Sequence, residues 1–416
     1  MTQPGTQRRI LLAAYFYPPL KSVGARRPFA LAKWLAARGH EVRVITSAHS
    51  GDETTDAWPV IRTGDLLATR LNWRSEHGNF EAQMGRSDAP LADQPSIWGR
   101  IVVPDVQLLT WAPGAARAAR RQMRDGWRPD IVVSTSPVES AHLVGLALSR
   151  RGVPWVADLR DGWRFDPPRP EWPLSPQRRI DARMERRVLR RADAVVGVTE
   201  QIAADLHTRL GIDATVITNA FDPDDAPDGS LVAAAPVRPD RLTLVHTGSL
   251  GGMSRSLRPV LDAVVALGAE ERIEILLAGP LTGAEAALFA EPRFAGFIRL
   301  LGFLDRPASL ALQRAADGLL IVTFCQEAPG KLFEYLAAGR PILVLGDRGA
   351  AADIVRAQQA GLAIPKDDPS ALRAALTRML DGGVPQPPPA AALSHLWPEL
   401  ITRYETVIER AISARS

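Results

Sequence analysis

Two side chains of opposite charge stand three residues apart in the stretch PGKLFEYLAAGRPILVLG, residues 329–346: Lys331 and Glu334. An ammonium can neutralise a phosphate oxygen. Pro329 and Gly330 break the preceding segment, and Leu332, Phe333, Leu336 and Ala337 recur as one face of a short helix. Gly339 and then Pro341 end that helix, and residues 342–345 read as a strand buried on both faces. Lys331 and Glu334 therefore fall in a first helical turn. The free N–H groups and the positive dipole end there favour an anion such as a diphosphate. The same spacing also suits an ordinary surface ion pair.

Three further stretches carry candidate chemistry. In WVADLRDGW, residues 155–163, a strand ends at Ala157 and Asp158, Arg160 and Asp161 follow. Ligands of open parallel sheets bind beyond the carboxyl ends of strands, although two carboxylates around an arginine can also form a closed ion-pair network. In YPPLKSVGARR, Gly24 can admit a phosphate or sugar to the backbone, and Arg26 and Arg27 can answer an anion. No GxGxxG is present there, so dinucleotide binding is not indicated. In TGSLGGMSRS, residues 247–256, the amides around Gly248 and Ser249 can cradle a phosphate and Arg255 can pair with it. His142 lies in a helical pattern starting at Ser136-Pro137 and reads as structural or as an acceptor-side group. Asp222 and Asp224 form a DxD within a linker without a third ligand, so a metal site is not expected.

These residues need elements to hold them. Residues 10–16, 25–38 and 41–46 read as strand, helix and strand, the start of an open parallel sheet, with 17–24 as the connecting loop. Further strands are expected at 131–134, up to 157, 194–199 and 214–218, with helices at 112–128 and 200–210. Residues 51–99 are polar and aperiodic and read as an insertion or acceptor lid. Residues 177–191 form a basic amphipathic helix with Ile180, Met184, Val188 and Leu189 on its apolar side. It is either solvated, with Asp181 and Glu185 pairing to arginines, or in contact with an anionic membrane. No nucleic-acid motif accompanies the charge. Residues 219–240 have linker composition, and a second parallel sheet follows with strands at 242–246, 273–278, 299–301, 319–323 and 342–345. A helix is expected at 367–380. After a proline-rich break at 386–389, Leu393, Trp397, Leu400, Tyr404, Val407 and Ala411 share one face of a last helix.

A chain of 416 residues implies two domains. With 46% hydrophobic and 23% charged residues it has a soluble composition, and no run of about 18 apolar residues could span a membrane. The short apolar run after Arg8 and Arg9 is stopped by Pro18-Pro19 and reads as a strand, not a leader. One cysteine, Cys325, excludes an internal disulfide and fits a reducing cytoplasm. Residues 1–218 hold 31 Lys and Arg against 23 Asp and Glu, and the remainder 19 against 23. The basic half is the one expected to face something anionic.

KLFEYLAAGRPIL resembles the donor-sugar motif of the family 4 retaining glycosyltransferases, and DLRDGW resembles the DFRDPW signature of a bacterial branch of that family. TNAFDP resembles the family's NGFDP junction, and PP…G…R…LA..L..RGHEV its N-terminal opening. The resemblance implies the GT-B fold, two Rossmann-like domains facing across a cleft. Their extents would be 1–218 on the acceptor side, a linker at 219–240, and 241–385 for the nucleotide-sugar, with 386–416 crossing back to the first domain. It implies glycosyl transfer from a nucleotide-sugar to an acceptor hydroxyl with retention, and no metal or cofactor. Lys331 and Arg255 would meet the diphosphate, and Glu334 the ribose hydroxyls. Gly24, Gly248, Ser249 and Leu332 would complete the donor site. Arg160 and Asp161 would be catalytic on the acceptor side, near Arg26, Asp158 and His142. The chain departs from the pattern at Gln326, where the family has Glu and Glu327 is one place off, and at Arg160, where other members carry His. The implied acceptor is a sugar, a lipid-linked or a small-molecule hydroxyl, met in the cytoplasm or at the inner face of the cell membrane. A sugar-nucleotide epimerase and a non-catalytic sugar-nucleotide-binding scaffold are the rival readings.

Overall fold

The computed structural model describes residues 6–20, 23–50, 57–65, 102–165, 172–250, 256–323 and 328–415, in two compact units. The first unit holds the described residues up to 218 and those from 397 onwards, and the second holds residues 219–396.

In the first unit the elements run β1 (Arg9–Ala14), α1 (Val23–Ala37), β2 (Glu41–Ser47), β3 (Val60–Thr63), α2 (Gln107–Thr110), α3 (Ala112–Arg124), β4 (Ile131–Thr135), α4 (Ala141–Ser149), β5 (Trp155–Leu159), α5 (Ser175–Leu189), β6 (Ala194–Gly197), α6 (Glu200–Leu210) and β7 (Ala214–Val216). The strands form a parallel sheet in the order β3-β2-β1-β4-β5-β6-β7. Every residue of β4 and β5 is buried, as apolar parallel strands covered on both faces require. On one face, Ala115 of α3, Val144 of α4, Val188 of α5 and Ile202 of α6 join the core with Val132 and Ala157.

The second unit runs α7 (Gly229–Ala233), β8 (Leu242–Thr247), α8 (Arg258–Ala266), β9 (Ile273–Ala278), α9 (Gly283–Phe289), β10 (Ile298–Gly302), α10 (Arg306–Ala315), β11 (Gly318–Val322), α11 (Gly330–Ala338), β12 (Ile342–Leu345), α12 (Ala350–Ala357), β13 (Gly361–Ile364), α13 (Pro369–Leu380) and α14 (Pro389–Leu393). Its parallel sheet has the order β10-β9-β8-β11-β12-β13. In each sheet the strand order reverses beside the first strand, between β1 and β4 and between β8 and β11. Such reversal points open a crevice at the carboxyl ends, where ligands bind. The last helix, α15 (Trp397–Ser413), belongs to the first unit, where it packs beside α1 and against β5 and β6.

Several local expectations are corrected. Helix α1 begins at Val23, so Gly24 is a buried residue of its first turn and not part of the loop. Helix α4 begins at Ala141, later than Ser136. Part of the stretch read as irregular is β3, which pairs with β2; residues 51–56 and 66–99 lie outside the described residues. On helix α5, Val188 and Leu189 are buried and Met184 packs against the core as the apolar pattern predicts, but Ile180 is 48% exposed while Asp181 and Glu185 are buried. Internal partners draw the acids inward. Asp181 accepts the indole N–H of Trp163 and of Trp172, each at 2.9 Å. Glu185 accepts both terminal nitrogens of Arg209, at 2.6 and 2.8 Å. Trp397, Leu400, Tyr404, Val407 and Ala411 are buried on α15 as their spacing predicts, but Leu393 ends α14 and is 59% exposed.

Candidate functional site

The reversal point of the second sheet gathers the donor-side candidates. Strand β8 ends at Thr247, preceded by His246 and followed by Gly248. The ring Nδ1 of His246 lies 2.9 Å from the carbonyl oxygen of Leu320 on β11. A carbonyl only accepts, so Nδ1 carries the proton and Nε2 is left as an acceptor. The Lys331 ammonium donates to it at 3.2 Å. Gly248 has φ +92°, and a Cβ at that position would lie 3.1 Å from Lys331 Nζ. Its N–H donates to the Ala278 carbonyl at 2.7 Å. Gly279, just after β9, has φ +149°, and a Cβ there would overlap the Gly248 carbonyl. Three strand ends thus fix the start of the glycine-rich loop beside the Lys331 ammonium.

Neighbouring side chains lock the same strand end. Tyr335 accepts the Thr247 N–H at 2.9 Å, and burial pushes the Tyr335 hydroxyl pKa up, so it stays protonated. The side-chain amide of Gln313 donates to Thr247 Oγ1 at 3.1 Å. Gln313 Nε2 also lies 3.4 Å from Glu334 Oε2. The other oxygen, Glu334 Oε1, accepts from Arg306 Nη1 at 2.7 Å. Arg306 further donates through Nε and Nη2 to Asp225 Oδ2, at 2.9 and 2.6 Å. Burial opposes the Arg306 charge, but the two carboxylates more than offset it and raise its pKa. Instead of an isolated surface pair, Lys331 reaches back to β8 and Glu334 reaches across to α10.

Leu332 is fully buried in the core with Phe333, and its N–H donates to the Pro329 carbonyl at 2.9 Å. Its expected donor-binding role is corrected accordingly: the side chain packs the helix. Ser249 is half-buried next to the exposed Gly248. Arg255, Cys325, Gln326 and Glu327 lie outside the described residues.

In the first unit two acceptor-side expectations change. Asp158 is fully buried and accepts from Arg27 Nε and Nη2 at 2.9 and 2.7 Å and from Thr135 Oγ1 at 2.6 Å. Arg27, 2% exposed, also donates to the carbonyls of Ile217 and Thr218. Burial, and then the Asp158 charge, hold the Tyr404 hydroxyl pKa well above its ordinary value. Arg27 therefore answers an anion of the protein itself, and Asp158 ties α1 to β5. His142 is also fully buried, 2.9 Å from Ser134 Oγ and stacked on Trp163. Burial lowers its pKa to about 4, so it is a neutral core residue. Arg160 is placed differently. Its Nη1 donates to the Val23 carbonyl at 2.9 Å and its N–H to Ser136 Oγ at 3.1 Å, while Asp161 is 4.0 Å away and 45% exposed. Arg160 is thereby brought to the first turn of α1, which carries Gly24 and the exposed Arg26.

His246, Gly279, Arg306, Gln313 and Tyr335 were not singled out from the sequence. One signal was available: Asp305, Arg306 and Pro307 form a capped helix start with proline early in the first turn. Among the described residues no group of three or more His, Cys, Asp or Glu is arranged to hold a metal ion. Among those residues no helix is long and apolar enough to cross a membrane.

The two parallel-sheet units with this strand order define the GT-B class. Residues 24–220 match the family described as Glycosyl transferase 4-like domain, and residues 241–382 match Glycosyl transferases group 1. Together these two models span most of the chain, which belongs to the glycosyltransferases. Among curated proteins, none matches the chain at the level of sequence. Solved structures similar in fold include sucrose-phosphate synthase from Thermosynechococcus elongatus, at 16% identity and TM-score 0.66, covering 98% of this chain and 100% of that one. Anabaena HepE in complex with UDP and glucose is 16% identical, with TM-score 0.61 and coverage of 98% and 100%. Trehalose 6-phosphate synthase from Burkholderia multivorans is 14% identical, with TM-score 0.58 and coverage of 98% and 96%.

Proposed function

We propose that this chain transfers a glycosyl group from a nucleotide-sugar to an acceptor hydroxyl, with retention of configuration and without a metal or other cofactor. The observation that carries the reading is the Lys331 ammonium, held by His246 against Gly248 at the reversal point of the second sheet. In the reaction the bond from the sugar C1 to the β-phosphate oxygen breaks, and its electron pair stays on the diphosphate. The acceptor oxygen bonds to C1 and gives up its proton, for which the departing phosphate oxygen is a base. Charge therefore grows on the diphosphate. Lys331, Arg255 and the amides beside Gly248 are the groups assigned to stabilise it; loss of one such preorganised contact costs about 2.7–4 kcal/mol in the barrier.

Glu334, one turn along α11, is assigned to the ribose hydroxyls, and Arg160 and Asp161 to the acceptor. Retention rests on the likeness of KLFEYLAAGRPIL to the retaining family. The HepE structure was solved with UDP and glucose, so uracil is the first base to try. Acceptors in cell-surface polysaccharide, glycolipid or natural-product glycoside synthesis all offer the required hydroxyl. The test is a thermal-shift panel of UDP, GDP, ADP and dTDP, followed by product analysis with the matching sugar donor. Wild type should bind one nucleoside diphosphate and consume its sugar donor, and Lys331→Ala should stop transfer while remaining folded. Donor consumption by Lys331→Ala at the wild-type rate would refute the assignment.

A further inference from the structure

Helix α5 carries a charge arrangement that the transfer chemistry does not use. Its two acids, Asp181 and Glu185, face inward, the first engaged by two tryptophans and the second by Arg209. What remains outside is basic. Arg179, Arg183 and Arg186 recur at i, i+4 and i+7, a single exposed ridge about 10 Å long at 1.5 Å per residue. Arg187 lies alongside and is also exposed. Among the described residues no carboxylate pairs with any of these four arginines. Like charges at these spacings repel and lower helix stability. The fold derives nothing from them, because the inward face of α5 is held by other residues.

Two large apolar side chains sit on the same exposed helix: Leu174 at its N-cap, 60% exposed, and Ile180 in its second turn, 48% exposed. The neighbouring layer extends the charge. Helix α4 packs between α3 and α5, and α3 exposes Arg117, Arg120 and Arg124.

We infer that the outer face of α5 docks on an anionic lipid bilayer. An arginine ridge without a carboxylate partner among the described residues matches a negatively charged headgroup surface, and the exposed Leu174 and Ile180 fit the boundary where headgroups meet acyl chains. A nucleic acid would use the charge but would have no use for exposed aliphatic side chains, and no aromatic stacking platform accompanies them. The docking brings a soluble transferase to a surface that presents lipid-linked hydroxyls. It stands on the α5 face alone and not on the donor chemistry.

The test is co-sedimentation of the full chain, without donor, with vesicles of phosphatidylcholine alone or mixed with phosphatidylglycerol. Wild type should partition onto the mixed vesicles only, and added salt should release it. The triple variant Arg179→Gln, Arg183→Gln, Arg186→Gln should bind about fivefold more weakly per arginine removed, on the order of a hundredfold in all. Its melting temperature should equal or slightly exceed that of wild type, because all three side chains are exposed and their mutual repulsion is removed. Ile180→Ser with Leu174→Ser should weaken binding further at unchanged charge. The inference falls if wild type ignores the mixed vesicles at low salt, or if the triple variant binds them equally well. It also falls if binding survives loss of both apolar side chains and duplex DNA displaces the vesicles, which would make the partner a nucleic acid.

Discussion

Arg306 Nη1 donates to Glu334 Oε1 at 2.7 Å, while the other edge of the same guanidinium grips Asp225. A single arginine at the start of α10 thus fixes the carboxylate that the proposed reading gives to the ribose. Hydrogen bonds to charged groups contribute about 1.5–3 kcal/mol each. Arg306→Gln should therefore raise the donor KM roughly tenfold or more, with a smaller change in kcat. It should also erode the preference for UDP over 2′-deoxy-UDP, a readout that a merely structural role would not move. Equal discrimination in wild type and variant would show that Arg306 does not set the Glu334 carboxylate.

Gly248 disfavours a side chain on two counts: its φ is +92°, and a Cβ would lie 3.1 Å from Lys331 Nζ, which would have to shift to admit it. Gly248→Ala is expected to cost about 1 kcal/mol in stability from the left-handed backbone. It should also push the ammonium off the diphosphate site, so donor turnover should fall by more than the stability loss explains. Paired thermal melts and kinetics check this; an unchanged kcat/KM would separate the glycine from the site.

The Arg27–Asp158 pair is buried on both sides. Removing one member of such a pair costs about 3–5 kcal/mol, because the other charge is stranded. Asp158→Asn should lower the urea midpoint accordingly. The double variant Arg27→Met, Asp158→Leu should lose much less than the sum of its parts. Additive losses would mean the two charges do not act as a pair.

Burial lowers the His142 pKa from 6.5 to about 4, so the folded chain excludes a proton that the unfolded chain binds. The sign follows: this contribution to stability is complete above pH 6.5 and is lost as pH falls toward 4. The loss is at most roughly 3 kcal/mol. Denaturant titrations of wild type and His142→Gln over that range should diverge in this sense, the variant losing less on acidification. A parallel pH dependence would place the acid sensitivity elsewhere.

The parallel sheets and the helix carrying Lys331 were legible because their periodicity is local: buried strands are apolar runs, and Gly339 and Pro341 mark a helix end. What was not legible depends on partners distant in sequence. Ile180 reads as apolar helix surface until Trp163, Trp172 and Arg209 are placed beside Asp181 and Glu185. Asp158 reads as a ligand-facing carboxylate until Arg27, 131 residues earlier, is found against it. Glu334 carries no sequence mark of Arg306, which lies in the preceding helix, on the far side of strand β11 in the chain. His246 looks like any residue of a buried strand until Leu320 and Lys331 fix its two nitrogens.

The central claim is that Lys331 meets the β-phosphate of a nucleoside diphosphate. Calorimetric affinities of UDP and UMP, or of whichever base the panel selects, measured for wild type and Lys331→Ala, test it directly. The account predicts that wild type prefers the diphosphate by tenfold or more, about 1.4 kcal/mol, and that the variant binds the two nucleotides almost equally. A variant that keeps the full wild-type preference for the diphosphate would contradict it.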